Sequence, residues 1–236
     1  MNANPFGNEG QEFLSYIHSH FVNLQPVQKN AVFSVPERCA IISVDITNGF
    51  CKAGALSSPR VNTIVRPVVQ LMTAAWQAGV RQIVLSQDTH EPDAEEFSTW
   101  PAHCVRGTEE AEAVDEIKRL PFFNKMVYFP KNSLSSTLHT GFSAWLAEHP
   151  ELDTFIIVGD CTDLCIYQMA MHLRLDADAR QLKRRVLVPE DCVQTYDFPT
   201  AAAMLAGAKP HPGDIVHEFF LYHLALNGVE VVARVE

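Results

Sequence analysis

The chain has 236 residues, 47% hydrophobic and 19% charged, which suits a globular protein with a sizeable core rather than a disordered or membrane one. Its formal net charge of −10 argues against a nucleic-acid partner, because a phosphate-binding face needs clustered Lys and Arg. No apolar stretch reaches the roughly 18–20 residues that span a bilayer, and the opening MNANPFGNEGQEF lacks a basic start before an apolar run, so no membrane partner and a cytoplasmic location are expected.

In that compartment Cys39, Cys51, Cys104, Cys161, Cys165 and Cys192 should be reduced thiols, and their irregular spacing does not read as a disulfide framework or a zinc ribbon. Residues 1–35 read as an N-terminal helical extension, with Phe13, Leu14, Ile17 and Phe21 at helical spacing, and residues 36–236 as a single domain. CAIISVDI (39–46) is a short apolar strand ending in an acid, and NTIVRPVVQLMTAAWQAG (62–79) a helix stopped by Gly79. Strands follow at 81–88, 125–131, 153–160, 184–192 and 229–236, and helices at 109–120, 140–149 and 163–177, with two more in PTAAAMLAG and GDIVHEFFLYHLALNG. Strand then helix, repeated with near-continuous Val/Ile/Leu strands, predicts a three-layer α/β/α fold. Its sheet is mainly parallel and doubly wound, of about six strands.

In such sheets ligands bind outside the carboxyl ends of the strands. The first strand ends at Asp45, the second at Gln87-Asp88-Thr89-His90, the third at Lys131, and the fourth runs through Gly159 into DCTDLC and a helix. Cys165 stands in the first turn of that helix, where unpaired N–H groups and the macrodipole favour an anion, so its pKa should fall. Lys131 would push the same way and Asp45 could take the thiol proton, making a nucleophile, a base and an electrostatic tuner. Singly, each has a plainer reading: a core cysteine, a turn cap, a solvated lysine. Together they favour catalysis. Asp88 and His90, at i and i+2, point the same way on a continuing strand, and Glu96 and His103 could complete a set suited to Zn²⁺, Mn²⁺ or Fe²⁺.

VDITNGF, DTHEPDAEEFSTWPAHCVRGTEE, FPKNSLSST and VGDCTDLCIYQMA, in that order over about residues 39–197, together resemble the nicotinamidases of the isochorismatase-like cysteine hydrolases. HPGDIVHEFFLYHLALNGVEVV is similar to the C-terminal part of plant-type members. The resemblance implies a catalytic triad of Asp45, Lys131 and Cys165, and a metal held by Asp88, His90, His103 and Glu96, with Glu95 as rival for the fourth place. It implies one divalent ion per subunit, zinc first with manganese or iron as alternatives. It also implies a cis Asp160–Cys161 peptide, and an oxyanion hole from the backbone N–H groups of Cys161 and Cys165. Phe50 and Trp100, with Leu138, match positions lining the substrate's ring pocket. Thr47 and Gly49 stand where the common VDxQNDF motif has Gln and Asp.

The expected activity is metal-dependent deamidation of the small molecule nicotinamide to nicotinate and ammonia through a thioester. The alternatives are another amidase or hydrolase of the superfamily acting on a different amide or carbamoyl group, a non-catalytic binding relative, and a zinc or redox role for Cys161 and Cys165. C-x₃-C is not the C-x₂-C of ribbons and thioredoxin-like sites. A homo-oligomer stays open, the N-terminal helix either packing on a partner or covering its own domain.

Overall fold

The computed structural model of the protein describes residues 7–236. Seven strands, β1 (Cys39–Val44), β2 (Gln82–Asp88), β3 (Val127–Lys131), β4 (Thr154–Asp160), β5 (Arg185–Pro189), β6 (Val193–Gln194) and β7 (Glu230–Val232), form one sheet in the order β3-β2-β1-β4-β5-β7, with β6 also pairing β4. Every pairing is parallel. The order reverses at β1 and β4, which opens a crevice at the carboxyl edge. The expected architecture holds, with one short strand more than anticipated.

Every residue of β1 is buried, as a central parallel strand covered on both faces requires. Alternation sends Ile41 to one core with Ile83, Ile156 and Val158, and Ile42 to the other with Phe155 and Ile157. Val65, Val68, Leu71, Met72 and Ala75 of the helix Val65–Ala78 close the first core, spaced as one helical stripe. That helix ends at Gly79 (φ 108°), whose left-handed backbone lets its N–H cap the last carbonyls. The second core is closed by the helices Phe142–Glu148, Cys165–Ala179 and Gly213–Leu226.

Two expectations change. Residues 109–120 do not form one helix: a 3-10 turn at Glu109–Ala111 and a single turn at Asp115–Lys118 flank an extended piece. Ala113 bridges Thr47, and the Glu112 carbonyl accepts the Asn48 N–H at 2.9 Å, so tertiary pairing overrides the strong helix formers there. The final strand is also shorter than 229–236.

The extension contains a helix, Asn8–Val22, that lies on Gly213–Leu226; the first six residues lie outside the described ones. Ile17 is buried, whereas Phe13 and Leu14 stay 41% and 44% exposed, so the anticipated stripe is only half covered. Val27 pairs with Val235, which ties the segment after this helix to the last residues of the described chain.

Gly159 sits where β4 presses on β1. A Cβ there would lie 1.8 Å from the Val44 carbonyl oxygen, and its φ of +120° suits only glycine.

Candidate active site

Asp45 is the first residue after β1 and adopts φ 58°, a left-handed conformation uncommon outside glycine. Its N–H donates to the Ser86 carbonyl at 2.9 Å, and its Oδ1 accepts the Asp88 N–H at 2.7 Å. The carboxyl group is thereby tied to the end of β2. Lys131, last in β3, is 1% exposed and extends its ammonium between Asp45 Oδ2 (2.8 Å) and Asp88 Oδ1 (2.5 Å), with Cys165 Sγ at 3.5 Å. One Asp45 oxygen, one Asp88 oxygen and the Cys165 sulfur all lie within 4.8 Å of one another. The structure thus brings the three sequence-predicted triad residues together.

Burial raises the Asp45 carboxyl to about 6, with the Asp88 charge adding and Lys131 opposing. Burial also acts on Asp88, but Lys131 and the neighbouring His103 and His90 imidazoles outweigh it and hold that group far below the usual carboxylate range. Lys131 is disfavoured by burial, yet Asp45 and Asp88 keep it firmly charged. The Cys165 thiol departs from expectation. Burial pushes it well above the ordinary thiol value, and Asp45 and Asp88 add to this against Lys131. Burial and the two carboxylates thus favour the protonated sulfur over a thiolate stabilised by a helix start.

Cys165 opens the helix Cys165–Ala179 after a turn that follows the cis Asp160–Cys161 bond. Leu164 and Ile166 N–H both donate to the Cys161 carbonyl, at 3.0 and 3.2 Å. The N–H groups of Cys161 and Cys165 have no acceptor among the described residues. The Cys161 thiol, like that of Cys165, is raised well above its usual range, by burial and then by Asp160.

Asp88, His90 and His103 offer ligand atoms within 4.8 Å of one another, all buried. His90 Nε2 lies 3.4 Å from Asp88 Oδ1 and His103 Nε2 3.7 Å from Oδ2. The other ring nitrogens are occupied: His90 Nδ1–H donates to Asn132 Oδ1 (3.1 Å) and His103 Nδ1–H to the Pro101 carbonyl (2.8 Å). Both Nε2 atoms thus face the carboxylate, His90 Nε2 buried with no hydrogen-bond partner among the described residues; carrying a proton they steady the Asp88 anion, and on losing it they offer two lone pairs to a cation. The donor set fits a divalent cation of the Zn²⁺, Mn²⁺ or Fe²⁺ type.

The fourth predicted ligand is not gathered in: Glu96, on the turn Glu95–Ser98, is not among the ligand atoms that lie within 4.8 Å of one another, though it feels the charges of the group. Burial and the Asp88 charge raise its pKa, while His90, Lys131 and His103 lower it. Its rival Glu95 is exposed, whereas Glu96 is half-buried.

Phe50 is 8% exposed and meets the His103 ring edge-on at 5.5 Å. Trp100 is half-buried and packs edge-on with Tyr196 at 6.3 Å. Leu138 is not gathered in: it is 65% exposed on the loop after β3, unlike a wall of a closed ring pocket. Three contributors escaped the sequence. Asn132 follows Lys131 directly and fixes His90, Phe97 contacts the rings of His90 and His103 at 5.4 and 5.7 Å, and Tyr196 backs Trp100. Phe97 lies between Glu96 and Trp100 in a segment already singled out, so its place could have been suspected.

A buried thiol, ammonium and carboxylate at the carboxyl edge of a parallel three-layer sheet define an α/β enzyme of the hydrolase class. The isochorismatase domain family matches residues 39–217, and the chain belongs to that family. It is 28% identical over 211 residues to nicotinamidase 1 of Arabidopsis thaliana, covering 83% of this chain and 85% of that protein. It is 28% identical over 183 residues to the nicotinamidase/pyrazinamidase of Mycobacterium tuberculosis, covering 69% and 91%. The pyrazinamidase of Pyrococcus horikoshii, solved in complex with zinc, has the same fold with a TM-score of 0.64 at 24% identity, covering 83% of this chain and 98% of that one.

Proposed function

We propose that this protein is a metal-dependent cysteine amidohydrolase that converts nicotinamide to nicotinate and ammonia. The observation that carries the reading is the Lys131 ammonium between two buried carboxylates and the Cys165 sulfur, beside two histidines whose Nε2 atoms face Asp88. The named relatives give the substrate class.

Asp45, raised to about 6, is an effective base near neutral pH and takes the Cys165 proton as the sulfur bonds to the amide carbon. The N–H groups of Cys161 and Cys165 receive the developing oxyanion. Protonated Asp45 then gives its proton to the departing nitrogen as the C–N bond breaks, releasing ammonia and leaving a thioester. Water, losing a proton to Asp45, attacks the thioester carbon; nicotinate leaves and the proton returns to sulfur. Lys131 keeps Asp45 anchored and balances the charge throughout. Phe50 and Trp100 hold the ring, with Leu138 at most on its rim. Asp88, His90 and His103, with Glu96 as fourth donor, would hold a divalent ion, zinc the leading candidate, which would supply Lewis acidity.

We also read residues 36–236 as one hydrolase domain and 1–35 as an N-terminal extension. The same reading puts the work in the cytoplasm, within NAD salvage. The test is ammonia release from nicotinamide by purified protein, with and without prior chelation. Turnover that chelation suppresses and added zinc, manganese or iron restores supports the reading. Full activity after complete metal removal, or turnover only of carbamoyl substrates, sinks it.

A further inference from the structure

The turn that carries Cys161 is held from below by two histidines from one short segment. His217, in the first half of the helix Gly213–Leu226, is 3% exposed, and its Nδ1 lies 2.8 Å from the hydroxyl of fully buried Thr162. Its Nε2 faces Glu190 Oε1 at 3.6 Å. A carboxylate on that side favours the Nε2–H tautomer, so Nδ1 accepts the Thr162 O–H. His211, six residues earlier, places Nε2 2.9 Å from Asp163 Oδ2, while Thr195 Oγ1 donates to Asp163 Oδ1 at 2.6 Å. Adjacent residues of the turn are thus gripped by side chains from outside it. The Phe21 ring, from the N-terminal helix, meets His217 edge-on at 5.7 Å and helps shield it.

We propose that His217 is a positioning residue for the amide hydrolysis: through Thr162 it fixes the direction of the Cys161 and Cys165 N–H groups, with His211 steadying Asp163 beside it. This rests on the activity proposed above. The Thr162 N–H is already spent on the Gln194 carbonyl at 3.0 Å, so the hydroxyl bond is the second restraint on that residue. A turn held by one restraint instead of two can rotate its donors away from the transition-state oxygen, and a misplacement of about 1 Å can cost about a hundredfold in rate.

The test compares His217→Leu, which removes the bond, with His217→Asn, whose amide sits near the place of Nδ1, and Thr162→Val with Thr162→Ser. Steady-state kinetics on nicotinamide and thermal unfolding are measured for each, with His223→Leu as a control on the same helix, where His223 bonds Tyr167 instead. The His217→Leu and Thr162→Val proteins should lose about tenfold or more in kcat with KM within about twofold. The His217→Asn and Thr162→Ser proteins should recover most of it, and the double variant combining His217→Leu with Thr162→Val should be no worse than the poorer single one. Unchanged kcat in the folded Thr162→Val protein, no recovery in the His217→Asn protein, or losses that multiply in the double variant overturn the proposal. Should His217→Leu fail to fold, the two Thr162 variants decide it. Wild-type protein that hydrolyses no small amide overturns the activity and the clamp together; active wild-type with unaffected variants overturns the clamp alone.

Discussion

The ends of β1 and β2 carry two aspartates, both buried to within 1% exposure and both touching the Lys131 ammonium, yet they are opposite in character. Asp45 is raised to about 6; Asp88 is held far below the ordinary range. Burial acts on both. The difference lies in the company each keeps: Asp88 adds two imidazoles to the shared lysine, whereas Asp45 adds only a backbone N–H. One ammonium cannot satisfy two buried carboxylates equally, and the imidazoles decide which stays a permanent anion. The other is left poised to exchange protons near neutral pH.

The hardest way to break this contrast is to remove what each side serves. Asp45→Asn and Cys165→Ala should each lower kcat for nicotinamide by about a thousandfold or more while circular dichroism stays unchanged. Residual activity above a tenth would separate the base or the nucleophile from the chemistry. Lys131→Met leaves two buried carboxylates without their cation and should destabilise the protein by about 3–5 kcal/mol, read by denaturant unfolding. A stability loss below about 1 kcal/mol would mean that the carboxylates find other compensation.

Asp88→Asn should lower metal content, measured by elemental analysis, and leave Asp45 without its like-charged neighbour. The pH profile sharpens the comparison further. Asp45 accepts a proton only as carboxylate, so kcat/KM should fall about tenfold per unit as pH drops below about 6 and level off above it. A limb at the pH of an ordinary carboxylate would show that burial does not set this group. The smallest effect belongs to Cys161→Ala, which keeps the backbone N–H and should leave kcat within about threefold. Loss on the scale of Cys165→Ala would give the Cys161 sulfur a role of its own.

The β1, β2 and β4 strands are readable because buried parallel strands are written as near-continuous Val and Ile, and their last residues then fall at one edge. The i, i+2 spacing of Asp88 and His90 can likewise be read, since it needs only an extended backbone. The protonation of Cys165 cannot. The helix start and lysine are visible in one dimension, but the burial and the two carboxylates that outweigh them belong to the folded interior. Residues 109–120 mislead for a related reason: Ala113 pairs with Thr47 across a long sequence separation that composition does not report. Leu138 rests on resemblance alone, and its exposure of 65% shows how little a matched position says about the loop that carries it.

Gly159 has a consequence for how such a site can change over time. Every replacement there adds a carbon 1.8 Å from the Val44 carbonyl, immediately before Asp45 on one strand and Asp160–Cys161 on the other. No sequence of single tolerated exchanges passes through that position unless the two strands first move apart. The end of β1 that carries Asp45 and the turn that carries Cys161 are therefore held at a spacing that this one residue sets.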